Sequence, residues 1–145
     1  DGFTLIELIV VVAILGILAA VLTPKVLDAM DSAKANSAEA TGKEIRLGME
    51  RYYLDNGKYP TIKEFKEAGT TNTNAIGNDD LVALLSKYLA MNESQFTGTP
   101  TYTGEKSGEG TVSETDTLIT YSLTVTLADS EKSVTVTPTK VTVNN

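Results

Sequence analysis

The 145-residue sequence contains no cysteine, no histidine and no tryptophan. Without the first two, zinc sites built on Cys or His, cysteine nucleophiles and Ser-His-Asp triads are excluded by inventory. The lack of cysteine by itself leaves the redox compartment open. Basic charge is scarce as well: 12 Lys and Arg stand against 19 Asp and Glu, a net charge of −7, with no basic cluster. A phosphate backbone is repelled by such an average surface, which argues against nucleic acid as a partner. No Gly-rich phosphate loop follows a strand, and no Lys is placed to serve one. Carboxylates are numerous, but Glu105, Glu109, Glu114 and Asp116 fall in a stretch with no buriable pattern. They read as a solvated loop rather than as an acid and base converging in a cleft. No catalytic residue, cofactor-binding residue or metal ligand is assigned, and the chain reads as non-enzymatic.

What the sequence does have is one long apolar run at its start. From Leu8 to Thr23 there is no charge, and Gly16 interrupts a series of Leu, Ile, Val and Ala. Roughly 20 apolar residues span a hydrocarbon core as a helix, and residues 3–22 supply about that many if Glu7 is tolerated near one end. The segment lacks the positive flank and small-residue cleavage site of a secretory signal peptide, since Asp1-Gly2 precedes it and Pro24-Lys25 follows. A plain anchor explains the length but not Glu7, because an acidic residue at a helix centre costs roughly 2.5–3.5 kcal/mol on insertion scales and less near an end.

The run Gly2-Phe3-Thr4-Leu5-Ile6-Glu7-Leu8, continued through Gly16 to Pro24, resembles the N-terminal segment of type IV pilins and of the related pseudopilins of type II secretion. The resemblance implies a filament subunit. A prepilin peptidase cuts between Gly2 and Phe3, Phe3 becomes the new and often methylated terminus, and the apolar helices bundle into a fibre core. Phe3 and Glu7 are then the assembly residues, Glu7 of one subunit pairing with the terminal amine of a neighbour. Gly16 and Pro24 bound a stretch expected to lose regular helix in the filament. Asp1-Gly2 precede the expected cut, so either processing differs or leader residues are retained. The implied partners are copies of the same chain, the inner membrane before assembly, and the pilus assembly machinery; no cofactor is implied.

The remaining residues suit one globular head, giving an apolar segment at 1–25 and a head at 26–145. The expected fold class is α+β, a lollipop-like arrangement in which a small antiparallel sheet packs on the C-terminal half of one long, half-exposed helix. That helix is expected over about residues 4–54, because Leu27, Met30, Ala33, Ser37, Thr41, Ile45, Met49 and Tyr52 recur at steps of three and four. Small residues crowd its middle, and Gly42 and Gly48 favour a packing reason over propensity. Asn56-Gly57 ends it. Thr61 and Glu64 form a capping box for a helix at 62–68 stopped by Gly69. Residues 69–77 read as an exposed loop, and Asn78 or Asp79 as the cap of a helix at 81–91 rather than a calcium ligand.

Residues 95–117 are expected to be a surface loop with at most a short strand near Tyr102. Ile119, Tyr121, Leu123, Val125 and Leu127 then alternate with polar residues as a half-buried strand. Val134 and Val136 continue on a second strand, and Val141 and Val143 fall on the opposite parity after a break near Pro138. The tyrosines read as core or interface fillers, with Tyr52, Tyr53 and Tyr59 near the helix end, and the aromatic content gives a conducting stack little support. The chain lacks the C-terminal disulfide loop of many pilins, which leaves that region to sheet pairing. The stretch 52–61 is closer to major pseudopilins. Against that, tryptophan and a Gly- and Asp-rich calcium loop are missing, which favours an extracellular type IV pilus, used for adhesion, motility or DNA uptake. The alternatives are a major pseudopilin of type II secretion and a membrane-anchored binding module that never polymerises.

Overall fold

A computed structural model describes residues 2–69 and 76–145, and its class is α+β. In chain order it has α1 (Leu5–Asn56), α2 (Ile62–Ala68), α3 (Asn78–Leu85), a short 3-10 turn at Glu93–Gln95, and strands β1 (Phe96–Lys106), β2 (Leu118–Leu127), β3 (Ser133–Val136) and β4 (Val141–Asn144). The strands form one antiparallel sheet in the order β1-β2-β3-β4. The chain divides into two compact units, Asp1–Lys34 and Ala35–Asn145.

In the first unit every large apolar side chain from Phe3 to Met30 is at least half exposed. The helix there is held by its own backbone and buries nothing against the chain.

In the second unit, the later part of α1 presents Ala38, Gly42, Ile45, Gly48 and Met49 to the core. The buried stripe therefore runs through Ala38 and Gly42 rather than through Ser37 and Thr41, and Tyr52 is only half-buried, outside the core cluster. Size explains the choice. A Cβ on Gly42 would sit 2.5 Å from Val141 Cγ1 and 2.6 Å from Val134 Cγ1, and one on Gly48 would sit 2.6 Å from Leu89 Cδ1. The missing side chains let the sheet and the α3–β1 connection approach the helix closely. The packing reason expected for both glycines is what the structure shows.

The helix ends where expected: Gly57 takes φ 72°, and its N–H donates to the Tyr53 carbonyl at 2.7 Å. At α2 the box is complete. The Glu64 N–H donates to Thr61 Oγ1 at 3.1 Å, and Glu64 Oε2 accepts from the Thr61 N–H at 2.8 Å.

Three expectations for the head need correction. First, α3 begins at Asn78 and ends at Leu85, not at 81 and 91. Its cap position is Gly77, which has no side chain to offer, so Asp80 works backwards and accepts from the Gly77 N–H at 2.7 Å. Asp80 is fully buried and also accepts from the Gly69 N–H at 3.0 Å, which supports an end-capping role over a cation ligand. Beyond Leu85 the chain turns tightly, the Tyr88 and Leu89 N–H groups both donating to the Leu85 carbonyl at 2.9 Å, and Lys87 Nζ and the Tyr88 hydroxyl reach Asp55 Oδ2 at the end of α1, at 3.0 and 2.8 Å. Of the loop expected at 69–77, residues 70–75 lie outside the described residues.

Second, much of the expected surface loop is strand. β1 runs eleven residues and pairs with β2 along most of its length. Its apolar positions are sparse because two extra residues bulge between Thr97 and Thr101, where Gly98 takes φ 68°. The bulge lets Phe96, Pro100 and Tyr102 all face the core. Pro100 is tolerated because β1 is an edge strand. What remains as loop is strapped down: the Lys63 N–H donates to the Glu114 carbonyl at 2.9 Å, Lys66 pairs with the Glu114 carboxylate, and Lys106 Nζ lies 3.0 Å from Asp116 Oδ2.

Third, Ile119 is exposed while Leu118 is buried, the reverse of simple alternation. The register steps from Glu105↔Thr120 to Lys106↔Leu118, so Ile119 is the extra residue of a second bulge. From Tyr121 onward the odd-numbered face is buried as expected. The parity change after β3 also holds. Thr137 N–H donates to the Lys140 carbonyl at 2.8 Å, and the turn returns Val141 and Val143 opposite Val136 and Val134.

Candidate assembly site

The start of α1 is also a complete capping box. The Thr4 N–H and the Thr4 hydroxyl both donate to Glu7 Oε2, at 2.8 and 2.9 Å, and the Glu7 N–H donates back to Thr4 Oγ1 at 3.3 Å. Leu5 is the first helical residue, so Thr4 is the cap and Glu7 the third residue of the helix. An acceptor near the N-terminus also complements the helix dipole. The expected pairing of Glu7 leaves Thr4 out, although the Thr4–Glu7 spacing is the same Thr-x-x-Glu that marks Thr61 and Glu64. Within the single chain, then, the costly carboxylate is occupied by its own helix start. Ile6, Glu7, Val10 and Val11 also line a shallow notch of about 260 Å³.

The other expected site residues are placed as follows. Phe3 is 94% exposed, and neither Gly2 nor Gly16 would bring a Cβ within 4 Å of another group. Pro24 lies inside α1, which continues through it without a break. Its missing amide leaves the Ala20 carbonyl without the usual donor. One residue earlier, the Thr23 hydroxyl donates to the Ala19 carbonyl at 2.6 Å. Gly16 and Pro24 are therefore neighbours along one helix rather than parts of a cluster. By length and composition α1 is apolar enough to cross a membrane.

Comparison with known proteins bears directly on this segment. Residues 1–23 match the prokaryotic N-terminal methylation motif. The N-terminal segment thus carries the signal of type IV pilins and pseudopilins. The methylation motif sits on a chain 48% identical, over 68 residues, to a type II secretion system core protein G of Pseudomonas aeruginosa, covering 47% of this chain and 48% of that protein. The core protein G of Vibrio cholerae is 40% identical over 70 residues, 48% of each chain. A type IV major pilin protein PilE1 of Neisseria gonorrhoeae is 44% identical over 59 residues, 41% of this chain and 36% of that one. The chain spans about half the length of the curated relatives it matches. No solved structure matches.

Proposed function

We propose that this chain is a structural subunit that polymerises through its apolar N-terminal helix into a filament of the type IV pilus kind. The observation that carries the reading lies in the first unit: a helix start whose large apolar side chains are at least half exposed, with Glu7 the single carboxylate between Phe3 and Pro24. Such a surface needs lipid before assembly and other helices after it. Cleavage between Gly2 and Phe3 by a prepilin peptidase frees an amine on Phe3, four residues before Glu7. Assembly then exchanges the Thr4 donors of one subunit for the amine of another, so the carboxylate is partnered in both states. In the packed core, neighbouring helices cover the backbone between Gly16 and Pro24, where regular helix is given up.

Two destinations share this assembly. The pilus reading rests on the missing tryptophan and the missing Gly- and Asp-rich C-terminal loop. A second reading, a major pseudopilin of type II secretion, is favoured by relatives that carry the name core protein G. The experiment is expression in a host that assembles the filament, with electron microscopy and intact-mass measurement of sheared fibres. Fibres built of a subunit beginning at Phe3 are expected, and Glu7→Gln abolishes or slows their formation while membrane insertion is unchanged. Normal fibre yield from Glu7→Gln refutes the assembly role. Loss of a secreted protein on deletion of the gene, with no fibres at native expression, selects the pseudopilus.

A further inference from the structure

A recess of about 440 Å³ opens on the sheet where β3 stops, lined among others by Thr103, Glu105, Thr120, Ser122, Pro138 and Thr139. It arises from topology. The pairing of β2 with β3 ends at Leu123↔Val136, whereas the pairing of β2 with β1 continues through Thr103↔Ser122 and Glu105↔Thr120. Two strands thus continue past the end of the third, and the turn after β3 walls the gap.

The hydroxyls of this sheet face fall into two groups. Outside the recess some are tied to one another, Thr124 to Thr135 and Thr126 to Ser133, each at 3.0 Å, while those of Thr97, Thr101 and Thr142 stand singly along the open face. The Thr137 hydroxyl donates to the Lys140 carbonyl at 3.1 Å and is committed to its turn. Within the recess, the side-chain hydroxyls of Thr103, Thr120, Ser122 and Thr139 have no hydrogen-bond partner among the described residues, and the Glu105 carboxylate has no cation there. Each free hydroxyl both donates and accepts, while the carboxylate accepts strongly and cannot donate.

The volume lies in the range of small-ligand sites, roughly 300–1,000 Å³. A ligand suited to this lining carries many hydroxyls of its own, has no negative charge to meet Glu105, and offers a C–H face to the Pro138 ring. We propose that the recess binds a neutral saccharide unit, with Glu105 accepting from a sugar hydroxyl and Thr103, Thr120, Ser122 and Thr139 completing the ring of polar contacts. The inference concerns the head alone and does not depend on polymerisation. An extended peptide added to the open edge of β2 would use main-chain groups and leave these hydroxyls idle, so the two occupants are separable.

The test uses the full chain in micelles of a detergent without a sugar headgroup, observed by amide proton–nitrogen spectra. Maltotriose, cellotriose and chitotriose are titrated separately to millimolar concentration, with an acidic trisaccharide, trigalacturonate, as control. At least one neutral sugar is expected to give saturable shifts at the amides of Thr103, Thr120, Ser122 and Thr139, stronger than the acidic one. Glu105→Gln should weaken binding about tenfold, as for loss of a hydrogen bond to a charged group. Thr120→Val with Ser122→Ala should abolish it while core amides stay in place. The proposal is overturned if no neutral sugar shifts these amides, if Glu105→Gln binds as well as the native chain, or if only a Val-Thr-Val-Thr peptide produces shifts there.

Discussion

Replacing Gly42 by alanine sets two opposed effects against each other at one atom. Alanine is the better helix former by about 1 kcal/mol, so on propensity alone the change stabilises α1. The added methyl, however, would lie 2.5 Å from Val141 Cγ1 and 2.6 Å from Val134 Cγ1. Valine is β-branched and stiff about its first torsion, and Val134 is fully buried, so neither can swing aside without moving its strand. Overpacking of this kind costs about 1–3 kcal/mol. The net expectation is a loss of about 1 kcal/mol, a fall in Tm of roughly 4 °C for a domain of this size. Gly48→Ala is the internal control. Its methyl would meet Leu89, a partly buried and flexible side chain, so relaxation is easier and the change should be close to neutral. Urea and thermal melts of residues 26–145 read both. A Gly42→Ala protein as stable as the native one, or more so, would show that the sheet does not sit against α1 at this point.

Leu123→Ala, at a fully buried position in the middle of β2, should lower the unfolding free energy by about 2–5 kcal/mol in the same melts; a shift within error would mean the buried face is misassigned. Pro24→Ala restores a donor to the Ala20 carbonyl and removes about 3 kcal/mol of helix weakness, so fibres should stretch less or assemble poorly; unchanged extensibility in pulling experiments removes the role assigned to Pro24. Asp116 is held below the ordinary carboxylate range by the Ser113 N–H first and then by Lys106, and Asp55 by Lys87 and then Tyr88. A depressed folded value means stability that is present above about pH 4 and lost as pH falls through it, so the urea midpoint should drop below pH 4, and drop less in Asp116→Asn. At the other extreme, burial and Glu50 push Tyr59 up to about 12. Stability should therefore decline as pH rises from about 10, where the unfolded chain ionises first.

Features set by strong local chemistry were legible in advance. A run of apolar residues, a Gly after Asn at a helix end, and a Thr-x-x-Glu pair each dictate their outcome within a few residues, and α1 and α2 were placed almost to the residue on that basis. What was not legible depended on partners far away in sequence. β1 carries only Phe96, Pro100 and Tyr102 as inward apolar anchors, spaced irregularly by a bulge whose existence is fixed by pairing with β2. Ile119 and Leu118 exchange places for the same reason. At α1, the choice of Ala38 and Gly42 over Ser37 and Thr41 was set by how closely β3 and β4 approach, which hydrophobicity alone does not encode. At the assembly site the reverse happened: Glu7 drew attention to itself as a charge, and the residue that satisfies it, Thr4, was hidden by being ordinary.

The ring-to-ring sequence in the head has an optical meaning. Tyr53 and Tyr59 lie 4.8 Å apart, Tyr59 and Tyr121 4.8 Å, Tyr121 and Tyr102 6.3 Å, and Tyr102 and Phe65 4.5 Å between centroids. With no tryptophan to dominate the spectrum, ultraviolet emission comes from tyrosine alone. At these separations excitation energy can pass between tyrosine rings before emission, so packing in the folded head adds a depolarising route that separated rings lack. Carboxylates such as Glu50 and Glu64, which accept from Tyr59 and Tyr52, quench part of that light. The protein therefore carries its own reporter: tyrosine anisotropy and intensity track the closure of the core, and, under the proposed assembly, a change in either would register contact at the exposed Tyr53.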